Sequence, residues 1–163
     1  MTTGRFHTAS VRDDVSDLIV RWSDGELALY PGNGAYGFGK DIQLVKGKVW
    51  QQAAVITAGD FRLATGDQDL FVRWSDGEVT AYENIAAETF GREHRLLPAK
   101  SPWREALLAT TGTFGGPARQ NDLVALWPGG KLTLHPRYHQ HGPARRTHPR
   151  EPVTTKICSP LTS

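Results

Sequence analysis

Asp17-Leu-Ile-Val-Arg-Trp-Ser-Asp-Gly-Glu26 returns 52 residues later as Asp69-Leu-Phe-Val-Arg-Trp-Ser-Asp-Gly-Glu78. It returns again, degraded, 53 residues further on as Asp122-Leu-Val-Ala-Leu-Trp-Pro-Gly-Gly-Lys131. Upstream of each copy stands a second shared element: Thr3-Gly-Arg-Phe6, Ala58-Gly-Asp-Phe61 and Thr111-Gly-Thr-Phe114. Trp50 and Trp103 also match at a spacing of 53, so all five tryptophans occupy repeat positions. A chain that repeats three times is a stack of one supersecondary unit, and the unit fixes the architecture.

Each unit reads as four β-strands. The first ends in Gly-x-Phe, as in Ala54–Phe61. The second, Asp17–Trp22, is apolar and β-branched. Asp24-Gly25 then reads as a two-residue type I′ hairpin, which needs φ > 0 at both central residues. The third strand, Glu26–Tyr30, alternates with period two, and Pro31-Gly-Asn-Gly34 breaks it before a fourth, Lys40–Val45. Unit two repeats the order through Glu78–Tyr82 and Phe90–Leu97. Trp103–Ala109 has helical composition, but it coincides with the repeat position of Trp50 and is read as strand.

The expected fold is therefore all-β, three tandem four-stranded repeats over residues 1–136, with units at about 2–52, 53–105 and 106–136. Residues 137–163 form a Pro-, His- and Arg-rich tail, whose Pro152–Cys158 is a candidate for the missing fourth strand of unit three. Two architectures stay open: propeller-like blades, or a β-trefoil-like domain with pseudo-threefold symmetry. Three blades fall short of the ~4–8 of closed propellers. Blades would need a second copy, so a homo-oligomer is expected.

Charge narrows the partners. The net charge of +2 is uneven: residues 1–136 carry 14 Lys/Arg against 16 Asp/Glu, and the tail carries five against one. A nucleic-acid binder concentrates its basic residues on the folded body, and this body is slightly acidic. No run of apolar residues is long enough for a membrane helix. Cys158 is the single cysteine, which excludes an internal disulfide. Phosphate-loop, zinc-protease and Ser–His–Asp signatures are absent, so the chain is read as a non-enzyme. The tail histidines, with His139-x-His141 able to chelate, sit in a segment without strands to hold them.

Gly-Asp-Phe61, then Asp69-Leu-Phe-Val72, a glycine hairpin and a strand ending in Tyr82 resemble the FG-GAP/VCBS repeat family. Leu29-Tyr-Pro-Gly-Asn-Gly34 with Phe38-Gly39 is similar to the Gly-Asn-Gly … Phe part of a VCBS unit. The Arg-Trp-Ser-Asp-Gly variant resembles repeats of secreted actinobacterial proteins. The resemblance covers roughly residues 2–135. It implies four-stranded propeller blades, extracellular recognition and lectin-like activity. It also implies a calcium loop between the first two strands. Calcium needs six to eight oxygens, and only unit two offers three aspartates, Asp60, Asp67 and Asp69. That loop is the one place left open for a cofactor. The start, Met1-Thr-Thr-Gly-Arg5, lacks the apolar stretch of a secretory signal, so secreted and cytoplasmic locations both stay open.

Within the units, Trp22, Trp74 and Trp127 are either sugar-stacking platforms or one recurring core layer. Trp127 persists although its neighbours change, which favours the core. Trp50 and Trp103 are expected at strand–loop borders and, with Asp24 and Asp76 at the hairpin tips, are the expected ligand contacts. Arg21 and Arg73 lie among apolar strand residues and need a carboxylate from Asp24/Asp76 or Glu26/Glu78. They form an ion network that is either structural or ligand-binding. The leading functional expectation is a non-catalytic, carbohydrate-binding, lectin-like module whose partner is a glycan or cell-surface polysaccharide. The alternatives are a protein–protein interaction or targeting domain of a secreted protein, and an enzyme of unrecognised motif.

Overall fold

The computed structural model describes residues 1–6, 15–61, 68–83, 85, 91–114 and 121–136, together with the backbone of 153–155. The described residues are all-β. Unit one contains β1 (Thr2–Gly4), β2 (Asp17–Arg21), β3 (Leu27–Tyr30) and β4 (Ile42–Val45). Unit two contains β5 (Ala53–Gly59), β6 (Asp69–Trp74), β7 (Val79–Tyr82) and β8 (Glu93–Leu97). Unit three contains β9 (Leu108–Gly112), β10 (Asp122–Leu126), β11 (Leu132–His135) and β12 (Val153–Thr155). Each unit is one antiparallel sheet with its strands in sequence order. Among the described residues no ladder joins two units, and none of the sheets closes into a barrel. A trefoil pools strands from all three units in one barrel, so the blade reading holds and the trefoil alternative falls.

The first strands lie innermost, β1 against β5 and β5 against β9. They are tied by single side-chain bonds rather than by ladders. The Ala58 N–H donates to Thr2 Oγ1 at 2.9 Å, and Thr111 Oγ1 donates to the Ala58 carbonyl at 2.6 Å.

Period-two alternation gives each sheet two apolar faces. Phe6, Ile19, Leu27 and Leu29 of unit one pack on Ile56, Leu70, Val72 and Tyr82 of unit two. Phe61, Phe71 and Val79 of unit two pack on Leu123 and Ala125 of unit three. The core is thus a pair of junctions between consecutive sheets. Each large side chain fully buried there stabilises the fold by roughly 1.5–3 kcal/mol.

The recurring aspartate that opens the second strand has a structural purpose. Asp17 accepts from the N–H groups of Phe6 and Gly32 at 3.0 and 2.9 Å. Asp122 does the same for Phe114 at 3.0 Å, and Asp69 accepts from Phe61 at 3.4 Å. A buried carboxylate here answers backbone donors that no strand pairs, which a buried loop requires.

Two sequence expectations change. The hairpins are not two-residue type I′ turns. Gly25 N–H donates to the Trp22 carbonyl, Trp22 N–H donates to that of Glu26, and positive φ occurs at Gly25 but not at Asp24. This is a three-residue loop with a glycine bulge, and Gly77 repeats it at φ 92°. A Cβ on Gly77 would stand 2.8 Å from the Ser101 carbonyl oxygen, so both conformation and space require glycine. The second change concerns Trp103–Ala109. Pro102–Glu105 is a 3₁₀ turn capped by Ser101, and the strand begins only at Leu108. Lys48–Gln52 is the matching turn before β5.

Candidate functional site

Strands β6 and β7 turn one edge of their unit-one-facing side into a cleft. Trp74, Glu78, Thr80 and Tyr82 lie on this side, because residues two apart share a face. The cleft is about 700 Å³ and is lined by Trp74, Ser75, Asp76, Glu78, Tyr82 and Glu93, with Val49, Trp50 and Gln52 of the preceding turn as its far wall. The same positions of unit one, Trp22, Ser23, Asp24, Glu26 and Tyr30, line a second hollow of about 340 Å³. It is shallower, and Trp22 is 47% exposed. Phe38 stands edge-on to Tyr30 at 6.4 Å and adds a further aromatic surface.

A chain of polar contacts fixes the unit-two cleft. Trp74 Nε1 donates to Thr80 Oγ1 at 2.8 Å, Thr80 Oγ1 lies 3.4 Å from Glu78, and Glu78 pairs with Arg95 Nε at 3.1 Å. Burial pushes the Tyr82 phenol well above its ordinary value, helped by the charge of Glu93, a hydrogen bond to it and the charge of Glu78. Tyr82 therefore remains a donor, engaged with the Glu93 carboxylate. In unit one Gln43 replaces Arg95 and donates to Glu26 at 2.6 Å, and Ala28 replaces Thr80. Glu26 is thus met by an amide where Glu78 is met by a guanidinium.

Unit three keeps the aromatic frame and loses the acids. Pro128, Gly129, Lys131 and His135 stand where Ser75, Asp76, Glu78 and Tyr82 stand in unit two. Trp127 Nε1 donates to Thr133 Oγ1 at 2.7 Å, and Thr133 Oγ1 lies 2.9 Å from His135 Nε2. Burial lowers the pKa of His135.

The tryptophan assignment made from sequence is reversed in burial. Trp50 and Trp103, expected at exposed borders, are 6% and 5% exposed. Each 3₁₀ turn drives its indole into a junction: Trp50 against Trp74 and Tyr82, and Trp103 against Phe71, Trp127 and His135. Trp22, expected in the core, is the open one. Trp50 still forms a wall of the unit-two cleft, whereas Trp103 belongs to the unit that has lost its acids.

Asp24 and Asp76 do lie in the two clefts. Each also holds its own turn, with Oδ1 accepting the N–H of Glu26 or Glu78 at 3.0 and 2.9 Å. Arg21 and Arg73 do not join them, because neighbours of a tryptophan in a strand point the other way. Arg73 is 9% exposed and donates to the Ala106 carbonyl at 2.7 Å, on the side of unit three. Burial pulls its pKa down, and Glu105 opposes that shift. The expected ion network with Glu78 is therefore replaced by Arg95–Glu78. Arg21 donates to the Trp22 carbonyl at 3.5 Å.

Of the calcium aspartates, Asp67 lies outside the described residues. The carboxylate of Asp69 serves Phe61, and Asp60 presents its N–H to Asn121 Oδ1 at 2.6 Å. No metal-holding group of three or more His, Cys, Asp or Glu occurs among the described residues. His139, His141 and His148 lie outside them. No helix among the described residues is long and apolar enough to cross a membrane.

Sequence reasoning left Glu93 and Tyr82 out of the site and favoured the core over a sugar-stacking platform for Trp74. The signal was available for two of them: Trp74 and Tyr82 have the parity of Thr80 rather than of Arg73. Glu93 comes from β8, whose register no local pattern gives. Comparison with protein-family models, curated proteins and solved structures gave no match to the chain.

Proposed function

We propose that the chain is a non-catalytic, carbohydrate-binding, lectin-like module that takes one glycan unit in each of the clefts of units one and two. The observation that carries this reading is the duplicated set of indole, hydroxyl, two carboxylates and tyrosine in a concavity at equivalent places. An indole or phenol face suits the apolar C–H face of a pyranose, and large aromatic surfaces dominate contact energy. Asp76, Glu78 and Glu93, or Asp24 and Glu26, then accept hydrogen bonds from sugar hydroxyls. Such hydrogen bonds exchange with water and add only ~0.5–1.5 kcal/mol each. Single-site affinity is therefore modest, and two sites per chain provide avidity on a multivalent surface.

The acidic lining favours neutral or amino sugars over acidic ones. Membership of the FG-GAP/VCBS repeat family and a secreted location belong to the same proposal. The three four-stranded sheets, stacked with their first strands innermost, support the family reading.

A glycan array probed with the full chain tests this. Binding to neutral or amino-sugar glycans, lost when Trp22 and Glu93 are replaced together by Ala and Gln, is the expected result. An array with no bound glycan would turn the reading toward a protein partner.

A further inference from the structure

We infer that two copies of this chain close head to tail into one six-bladed ring, the free face of unit three seating on the free face of unit one. The inference is independent of glycan binding and rests on the two internal junctions. Each sheet has a forward face, toward the next unit, and a rear face, toward the previous one. Where both faces meet they are buried. The forward residues Phe6 and Phe61 are 3% and 8% exposed, and Val55 is 8%. The rear residues Leu70 and Val72 are fully buried.

At the two ends of the stack the same positions are open. Phe114, the third copy of Phe6 and Phe61, is 59% exposed, and Leu108, the counterpart of Val55, is 61% exposed. On the rear face of unit one Trp22 is 47% exposed, and Leu18 and Val20 are only partly covered. Unit three also carries Leu126 where Arg73 reaches the Ala106 carbonyl of the following unit. The free forward face is thus apolar where the internal one is polar. Phe114 and Leu108, open at positions otherwise buried in junctions, mark an interface.

A second copy fits because the chain itself shows how a forward face sits on a rear face. The contact is heterologous, and such contacts form rings when the rotation closes. Among multiples of three blades, six alone falls within the ~4–8 that propellers accommodate.

The test is the molar mass of the full chain in solution, measured by sedimentation. The expected mass is about 36 kDa, twice the 18.0 kDa chain. Leu108→Asp with Phe114→Asp should halve that mass with the β circular dichroism unchanged, since both side chains already face solvent. Val20→Asp should do the same from the other face. Mixing the two variants should restore dimer, because one intact forward face then meets one intact rear face. A chain that sediments at 18 kDa across the micromolar range, or a dimer that survives the Leu108/Phe114 pair, would overturn the proposal.

Discussion

Trp50 and Trp74 meet with ring centroids 5.2 Å apart, and Trp103 and Trp127 repeat the contact at 5.4 Å. In each pair the indole from the connecting turn is the buried one, and the strand indole is held through its Nε1 by a threonine, Thr80 or Thr133. Trp22 occupies the strand position of unit one with Ala28 in place of that threonine, and it faces solvent. The repeated strand indole is thus packed against a turn indole in two units and open to solvent in unit one.

Replacing Trp50 or Trp103 with alanine should cost about 3–5 kcal/mol, because each deletion leaves a cavity inside a junction. Trp22→Ala should cost less than about 1 kcal/mol, since little buried area is lost. Urea unfolding of the three variants, with midpoints compared at equal slope, checks the order. A Trp22→Ala variant as unstable as Trp50→Ala would contradict the placement.

Asp17→Ala should destabilise unit one by about 2–4 kcal/mol, as it leaves the N–H groups of Phe6 and Gly32 without their acceptor in a buried turn. Asp17→Asn retains one acceptor oxygen and should recover part of that loss. Thermal melting of the pair measures the difference.

Thr80→Val removes the acceptor of Trp74 Nε1 while keeping the shape of the side chain. An indole N–H left without a partner costs about 1–3 kcal/mol, and Trp74 should gain freedom to rotate. The expected readout is a lowered melting temperature with a changed near-ultraviolet circular dichroism band.

Stability should fall as pH drops below the ordinary histidine value. Burial lowers the folded pKa of His135 below 6.5, so the unfolded chain takes up a proton before the folded one does. Where the unfolded state binds more protons, stability rises with pH. The contribution is complete above about pH 6.5 and declines between that value and the lower folded pKa. A melting series from pH 8 to pH 5 should therefore show a drop that His135→Gln reduces. An identical drop in that variant would assign it to other groups.

The blade architecture was legible because the repeat is written in Asp17–Glu26 and its copies, and because alternation within β2, β3 and their equivalents sets faces by parity alone. Strand order followed from short hairpins. Burial of individual tryptophans was not legible, since it depends on which face has a neighbour. Trp22 and Trp74 share the stretch Val-Arg-Trp-Ser-Asp-Gly-Glu and differ in what precedes their unit and in the residue across the hairpin, Ala28 against Thr80. The 3₁₀ turns that bury Trp50 and Trp103 escaped reading because they are short and carry no pattern beyond Ser101-Pro102. Arg73 was misjudged for a related reason. Its acceptor is the backbone carbonyl of Ala106, which no charge pattern announces.

The central claim is that units one and two each hold a glycan site and unit three does not. Calorimetric titration of the full chain with its best array glycan measures this as a stoichiometry. Two glycans per chain are expected, falling to one in Trp22→Ala with the remaining site unchanged in affinity. A wild-type stoichiometry of three, or a Trp22→Ala chain that still binds two, would contradict the account.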